Sequence, residues 1–142
     1  MTELGYRAKR LLQDYRQLEK EIREKNERIH SLFDSATRAT PSLEAERVSG
    51  TSEHSRLESS TIRKIDLENQ LETKIAELHR MNYDIQNAID AMENARERRL
   101  LFLRYLEGRS WASVNTRLEI SETWSRVIHE SALVHFSEIF FK

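Results

Sequence analysis

The sequence predicts an all-α protein, in which a long antiparallel helical hairpin (a coiled coil) precedes a C-terminal helix-turn-helix domain. Three observations support this fold class. The 142 residues include only three Gly and one Pro, with 33% charged residues, as is typical of long helices. Apolar residues recur at steps of three and four along two long stretches. Beyond residue 100, two shorter helical patterns are separated by a turn short enough to make their helices cross steeply.

The first long helix is predicted to begin beside Thr2, whose hydroxyl can accept a free N–H of the first turn, and to end near residue 35. Its apolar residues have the spacing of a coiled-coil seam, which Lys25 interrupts once. This lysine is either a tolerated imperfection or a residue that sets the register between helices. The seam comprises Leu4, Ala8, Leu11, Tyr15, Leu18, Ile22, Ile29, Leu32 and Ala36.

A loop is predicted from residue 35 to residue 54, because this segment contains Pro41, Gly50 and many Ser and Thr residues. Ser55 and Glu58 then have the spacing of a capping box, in which each side chain satisfies a free N–H at a helix start. The two long helices are similar in length, so the chain is expected to return antiparallel to itself.

The second long helix carries an apolar stripe from Ile62 to Met92, with Asn82 on the same seam. A buried Asn often fixes register or oligomer state, whereas partial exposure near a bend is the alternative interpretation. Two seams make a thin core, so we expect a homodimer or tetramer formed through helices 2–35 and 55–93. Residues 1–93 are the predicted oligomerisation region, and residues 94–142 the predicted DNA-binding domain.

The C-terminal domain is predicted from its helix signals. Asn94 can cap a fresh helix at the junction to this domain, Gly108 marks a helix end, and Ser110 and Ser121 can each cap a new helix. The apolar tail from Phe136 to Phe141 either completes the small core of this domain or forms a subunit contact. The predicted core positions are Trp111, Val114 and Leu118 on one helix and Trp124, Ile128, Ala132, Leu133 and Phe136 on the next.

The string LRYLEGRSWASVNTRLEISETWSRVIHESAL resembles the fourth region of bacterial sigma factors. It is more similar still to phage late-gene transcription regulators of the ArpU and RinA type, with weaker similarity upstream at Ala39-Thr40 and Ser49-Gly50-Thr51. The resemblance implies a helical N-terminal half and a DNA-binding helix-turn-helix. The shared features are Leu103-Arg104-Tyr105-Leu106, Gly108, Ser110-Trp111, Ile120-Ser121, Ile128-His129 and Ala132-Leu133.

Three residues depart from the pattern of that family. Asn115 stands where the family usually has a small Ala, and Ser125 where it usually has an aliphatic residue. Trp124 is expected to take over the packing that Ser125 cannot supply. Glu119 stands where the family usually has Gly, and a residue held there at positive φ costs roughly 1 kcal/mol.

Side chains near the start of the second helix of a helix-turn-helix face the base edges of DNA. Helical phase places Thr123, Arg126, Val127 and Glu130 on the outward face, together with Glu122. Arg126 is the expected bidentate contact to guanine. The expected phosphate contacts are Arg104, Arg109 and Arg117, with Arg98 and Arg99 as further candidates.

These residues and the resemblance indicate a phage or prophage transcription regulator that binds double-stranded promoter DNA and activates late genes. RNA polymerase is a further expected partner. Two alternatives remain open at this point. In the first, the helix-turn-helix is degenerate and the protein binds a host or phage protein. In the second, the chain is a small DNA-packaging subunit. The net charge of −1 argues against a generic polyanion binder, but a local basic face remains compatible with specific binding.

Composition predicts that several other functions are absent. The chain contains no Cys, and His129 and His135 lie six residues apart, so they do not share a helix face as a metal pair would. We therefore expect no enzyme activity, no catalytic or metal site and no cofactor. No segment has the length and apolarity of a membrane span or signal peptide, which predicts a location in the cytoplasm of a bacterial host cell.

Overall fold

The structure is a computed structural model that describes residues 1–45 and 50–142, and the side chains of residues 1–34 and 55–142. Within this part of the chain all regular structure is helical, as predicted. The elements are α1 (Glu3–Ala45), α2 (Gly50–Asp90), α3 (Ala95–Leu101), a π-helical segment (Phe102–Leu106), α4 (Trp111–Leu118) and α5 (Glu122–Phe140).

The chain forms two compact units. The first combines Met1–Glu19 with Leu78–Lys142, and the second is Lys20–Glu77. The sequence-predicted division between residues 93 and 94 separates two functions, oligomerisation and DNA binding, and it stays a prediction. In the structure, apolar side chains from the ends of both long helices lie in the same hydrophobic cluster as the helices that follow residue 94.

In the first compact unit, α1 and α2 contribute opposite faces to this shared core. Leu12 is fully buried, whereas Leu11, the predicted seam residue, is only partly buried. The amide Nδ2 of Asn82 donates a hydrogen bond of 2.7 Å to the Tyr15 hydroxyl, so Asn82 pairs with a residue of its own chain. Burial raises the pKa of Tyr15, which keeps the hydroxyl protonated. This polar pair fixes which residues of α1 and α2 lie opposite each other.

The second compact unit contains the middle of the antiparallel hairpin. The Nζ of Lys74 lies 2.9 Å from a carboxylate oxygen of Glu21, and the Nζ of Lys25 donates to Gln70 Oε1 at 2.9 Å. Lys25 thus spans the seam to a residue of the opposite helix. Among residues 20–34 and 55–77 no side chain is fully buried, because a pair of helices alone covers only one side of each seam.

The connection between the long helices differs from the predicted loop. Helix α1 continues to Ala45 and α2 already begins at Gly50, so most of the segment 35–54 is helical, and residues 46–49 lie outside the described part. Ala and Leu residues favour helix over this segment, and its one Pro removes a single N–H donor. The predicted capping box at Ser55 is therefore wrong, since α2 starts five residues earlier.

The helix ends of the first compact unit agree with the sequence signals. Thr2 Oγ1 accepts from Gly5 N at 3.0 Å, and Asn94 Oδ1 accepts from Arg96 N at 3.0 Å. Ser110 and Ser121 cap α4 and α5 by accepting hydrogen bonds of 3.2 and 3.1 Å from backbone N–H groups three residues later. Gly108 follows the π-helical segment with a φ of 71°, which glycine adopts without steric cost.

The core around α5 confirms most of the predicted apolar positions and corrects one. Val114, Ile128, Ala132, Leu133 and Phe136 are buried, and Trp111 and Leu118 pack against them. The prediction for Trp124 is wrong: its side chain is 50% exposed, whereas Ser125 is only 3% exposed. Ser125 lies three residues before Ile128 and seven before Ala132, so helical phase places it on the buried stripe and turns Trp124 outward.

The apolar tail completes this core. Phe136 is fully buried and its ring stacks on that of Phe140 at a centroid distance of 5.3 Å. Phe141 packs partly buried against the same cluster, with the guanidinium carbon of Arg7 4.3 Å from its ring centroid. Of the two interpretations of the tail, the structure therefore supports the one in which it completes the core of its own subunit.

Candidate nucleic-acid interface

Helices α4 and α5 are joined by a three-residue turn, Glu119–Ser121, whose geometry matches the predicted helix-turn-helix. Glu119 has a φ of 55° and a ψ of 46°, so it occupies the left-handed region. Its backbone N–H and that of Ile120 donate to the carbonyls of Thr116 and Asn115, which closes the end of α4. Glu119 thus has the positive φ considered for this turn, and its cost of roughly 1 kcal/mol stays a prediction.

Replacing Glu119 with Gly should raise the free energy of unfolding by about 1 kcal/mol, because glycine enters the left-handed region without the steric cost of a Cβ. Thermal or denaturant unfolding would measure the change. Glu119→Ala is the matched control, since it removes the same charge and keeps the Cβ. Equal stabilities of the two variants would show that the carboxylate, not the backbone, is responsible.

The start of α5 presents an exposed face with the predicted base-reading residues. Thr123, Arg126 and Val127 are all exposed there. The Arg126 guanidinium lies 3.1 Å from a carboxylate oxygen of Glu122, and the two side chains are 79% and 77% exposed. An ion pair this exposed contributes little to stability, so Arg126 can exchange Glu122 for another acceptor at small cost.

Glu130, the fourth predicted base contact, lies on the same helix but already has a partner. Its carboxylate oxygen is 3.0 Å from the α-amino nitrogen of Met1. This pairing neutralises one of the two acidic residues that the sequence places on the outward face of α5. A negative charge at that position would otherwise oppose the approach of a phosphate backbone.

The three arginines predicted to contact phosphates differ in their surroundings. Arg117 is exposed at the end of α4, where its charge is available. The Nε of Arg109 lies 2.5 Å from a carboxylate oxygen of Glu107. Arg104 is half-buried: its Nη1 donates to the Arg109 carbonyl at 2.9 Å, and its guanidinium carbon lies 4.8 Å from the Trp111 ring centroid. Of the three, Arg117 is the one whose side chain is exposed, whereas Arg104 and Arg109 are half-buried.

His129 belongs to the packing behind this face. Its Nε2 is 2.8 Å from the Tyr105 hydroxyl, and the Trp111 ring meets its imidazole edge-on at 4.6 Å. Burial lowers the pKa of His129 to about 4, with smaller contributions from the nearby Lys9 and Arg104 charges. The imidazole is therefore neutral at pH 7 and structural, so it does not serve as a cationic phosphate ligand.

A buried carboxylate connects α3 to α5. Glu97 is only 5% exposed and accepts hydrogen bonds from Ser131 Oγ at 2.6 Å and from His135 Nδ1 at 2.7 Å. The bond to Glu97 raises the pKa of His135. Sequence reasoning missed this cluster, because Glu97 is separated from its partners by 34 and 38 residues and no local pattern joins them. The cluster fixes the rotation of α5 about its axis and hence which residues face outward.

Two further features distinguish this domain. The side-chain Oδ1 of Asn115 is buried without a hydrogen-bond partner. Trp124 and Val127 line a hollow of about 270 Å³ together with Asn94 and Arg96. An exposed aromatic next to the base-reading positions was not expected from the sequence.

The comparisons with known proteins identify a family but no function. The chain belongs to the family described as Protein of unknown function (DUF1492), whose model matches residues 37–136. No curated protein and no solved structure matches the chain. Among the described residues, no cluster of His, Asp or Glu has the arrangement of a metal site. No helix in the same part of the chain combines the length and apolarity that crossing a membrane requires.

Proposed function

We propose that this member of the DUF1492 family is a phage or prophage transcription regulator that binds promoter DNA through α4 and α5. The observation that carries the proposal is the exposed face at the start of α5, held by a capped three-residue turn and presenting Thr123, Arg126 and Val127. In a helix-turn-helix these are the positions that enter the major groove. Activation of late genes in a bacterial cytoplasm is the further expectation from the resemblance to ArpU and RinA regulators.

The interior of the domain supports this role because it holds α5 rigidly. Ile128 and Ala132 are buried against α3 and α4, and Glu97 links α3 to α5 through two short hydrogen bonds. The contact residues of a reading helix must be held within about 0.5 Å of the productive geometry, which requires side chains locked by packing and hydrogen bonds behind the contact face. The outward residues make few competing contacts, so they remain available to a ligand.

Two partners other than DNA belong to the proposal. RNA polymerase is expected from the resemblance to sigma factors. Association of copies of this chain through helices 2–35 and 55–93 is supported by Ile62 and Ile65, which are 58% and 51% exposed. Exposed aliphatic side chains on a two-helix hairpin become buried when two hairpins associate, as in a four-helix bundle. Two DNA-binding domains would then read paired half-sites.

Replacing Arg126 with Ala should weaken binding by about 1–3 kcal/mol and relax preference at a single base pair, because a bidentate arginine contact to guanine is lost. The duplex is first selected from a random library by the wild-type protein. Electrophoretic shift then measures affinity for this duplex and for a set with each base pair changed.

Arg117→Ala is the matched control, because an exposed arginine that contacts phosphate contributes equally to all sequences. It should weaken binding to every duplex and leave the preferences unchanged. If Arg126→Ala binds the selected duplex as tightly as wild type, Arg126 does not read DNA. If no duplex is enriched by wild-type protein, promoter recognition itself is excluded.

A protein-interaction module is the second candidate function, and the exposed side chain of Trp124 favours it. Tryptophan beside a hollow is the residue that most often anchors a protein partner. In that case Trp124→Ala abolishes capture of host or phage proteins, while library selection yields no duplex. For the third possibility, a DNA-packaging subunit, the mass in solution would be that of a large ring, whereas a regulator is expected to be a dimer or tetramer.

A further inference from the structure

Two arginines from distant parts of the chain meet beside the loop that precedes α4. The Nη1 of Arg16, on α1, donates a hydrogen bond of 2.8 Å to the carbonyl oxygen of Arg104. The Nη1 of Arg104 in turn donates to the carbonyl oxygen of Arg109 at 2.9 Å. Both guanidinium groups are therefore anchored by backbone carbonyls, which hold them in place and leave their positive charges uncompensated.

No carboxylate balances this pair of charges. Among the described residues neither Arg16 nor Arg104 forms an ion pair, and the nearby Glu107 is paired with Arg109. The pKa of Arg104 is lowered, first by burial and then by the charge of Arg16. The Nε of Arg104 is buried without a hydrogen-bond partner. The charge of Arg16 therefore acts unfavourably on that of Arg104, and an anion placed beside the two would relieve this repulsion.

Gly108 lies directly beside the Arg16 guanidinium. A Cβ at this position would lie 3.1 Å from Arg16 Nη1, so the arginine would have to move by a few tenths of an ångström. The positive φ of Gly108 turns the chain directly into Ser110 and the start of α4. The arginine pair thus lies next to the N-terminal end of the first helix of the helix-turn-helix, the helix that crosses the DNA backbone when the second helix occupies the major groove.

We propose that Arg16 and Arg104 together bind one phosphate of the DNA backbone. This inference rests on the proposed function and adds to it a contact from the first helix of the chain. A guanidinium has five N–H donors in a rigid fork that suits phosphate oxygens. Each arginine uses one donor on a backbone carbonyl, which leaves donors on both for the anion. Arg16 is therefore a positioning contact that reads no base.

The test measures the salt dependence of DNA binding by the full chain carrying Arg16→Gln, which removes the charge and keeps a hydrogen-bond donor. Binding to the library-selected duplex should weaken about tenfold, as expected for a lost charge-assisted hydrogen bond. The slope of log affinity against log salt should fall by about one, and base preferences should stay the same. Arg10→Gln, an exposed arginine on the same helix, is the matched control and should leave the slope unchanged.

Arg16→Lys keeps the charge without the fork and should recover part of the affinity together with the wild-type slope. Circular dichroism melting of each variant verifies that the domain is folded. A wild-type slope in Arg16→Gln, or an equal loss in Arg10→Gln, overturns this inference and leaves the proposed function intact. Failure of the wild-type protein to bind any duplex overturns both.

Discussion

Leu12→Ala should lower the free energy of unfolding of the first compact unit by about 3 kcal/mol, although Leu12 lies more than eighty residues before the helix-turn-helix. Its side chain is fully buried in the cluster that also contains Leu100, Leu133 and Phe136. Deleting a buried leucine side chain removes its transfer free energy and leaves a cavity beside α3 and α5. Urea unfolding followed by far-ultraviolet circular dichroism measures the loss.

The adjacent Leu11 provides the matched control. It is only partly buried, so Leu11→Ala should cost no more than about 1 kcal/mol. Such a difference between neighbouring leucines would show that the N-terminal turns of α1 share a core with the helix-turn-helix. A larger loss for Leu11→Ala than for Leu12→Ala would instead indicate that the sequence-predicted seam through Leu11 is the one that packs.

Acid should destabilise the protein between pH 6.5 and pH 4, and His129 should account for most of the loss. Its pKa is about 4 in the folded protein, against the ordinary value of 6.5. Below pH 6.5 the unfolded chain therefore binds a proton that the folded protein does not, and stability falls as pH falls. A shift of this size corresponds to at most about 3 kcal/mol, fully expressed once the pH has reached about 4.

The measurement is the free energy of unfolding at intervals between pH 4 and pH 8, for wild type and for His129→Gln, which cannot titrate. In the variant, the free energy of unfolding should no longer fall between pH 6.5 and pH 4, whatever its value at pH 7. His135 cannot produce this slope, because its pKa is raised by Glu97. The stability that His135 gains from its bond to Glu97 is fully present below pH 6.5 and is lost as pH rises through the pKa of His135 in the folded protein. An unchanged acid-side slope in His129→Gln would show that other groups take up the proton.

The His129 result also bears on function. The imidazole lies between Tyr105 and Trp111, directly behind the exposed face of α5. Protonating it would place a charge in a site where burial opposes one. Loss of DNA binding in this pH range would then follow unfolding, and a binding assay performed at pH 7 or above avoids the effect.

Local patterns in the sequence determined the class of fold and most of the C-terminal domain. Ser110, Ser121 and Asn94 cap helices, and Gly108 has a positive φ, because a cap or a turn depends on residues within a few positions of one another. The antiparallel return of the hairpin also follows from local information, since two apolar stripes of similar length must cover each other.

Only the tertiary structure decided which residues share a core and which remain outside. Trp124 and Ser125 are neighbours in sequence. The sequence predicted that Trp124 is buried, because a large apolar side chain favours the core, but helical phase places Ser125 there instead. The joining of residues 1–19 to residues 78–142, the Glu97 cluster and the meeting of Arg16 with Arg104 depend on contacts between residues far apart in the chain. Such contacts are set by how whole helices pack, and no local pattern records them.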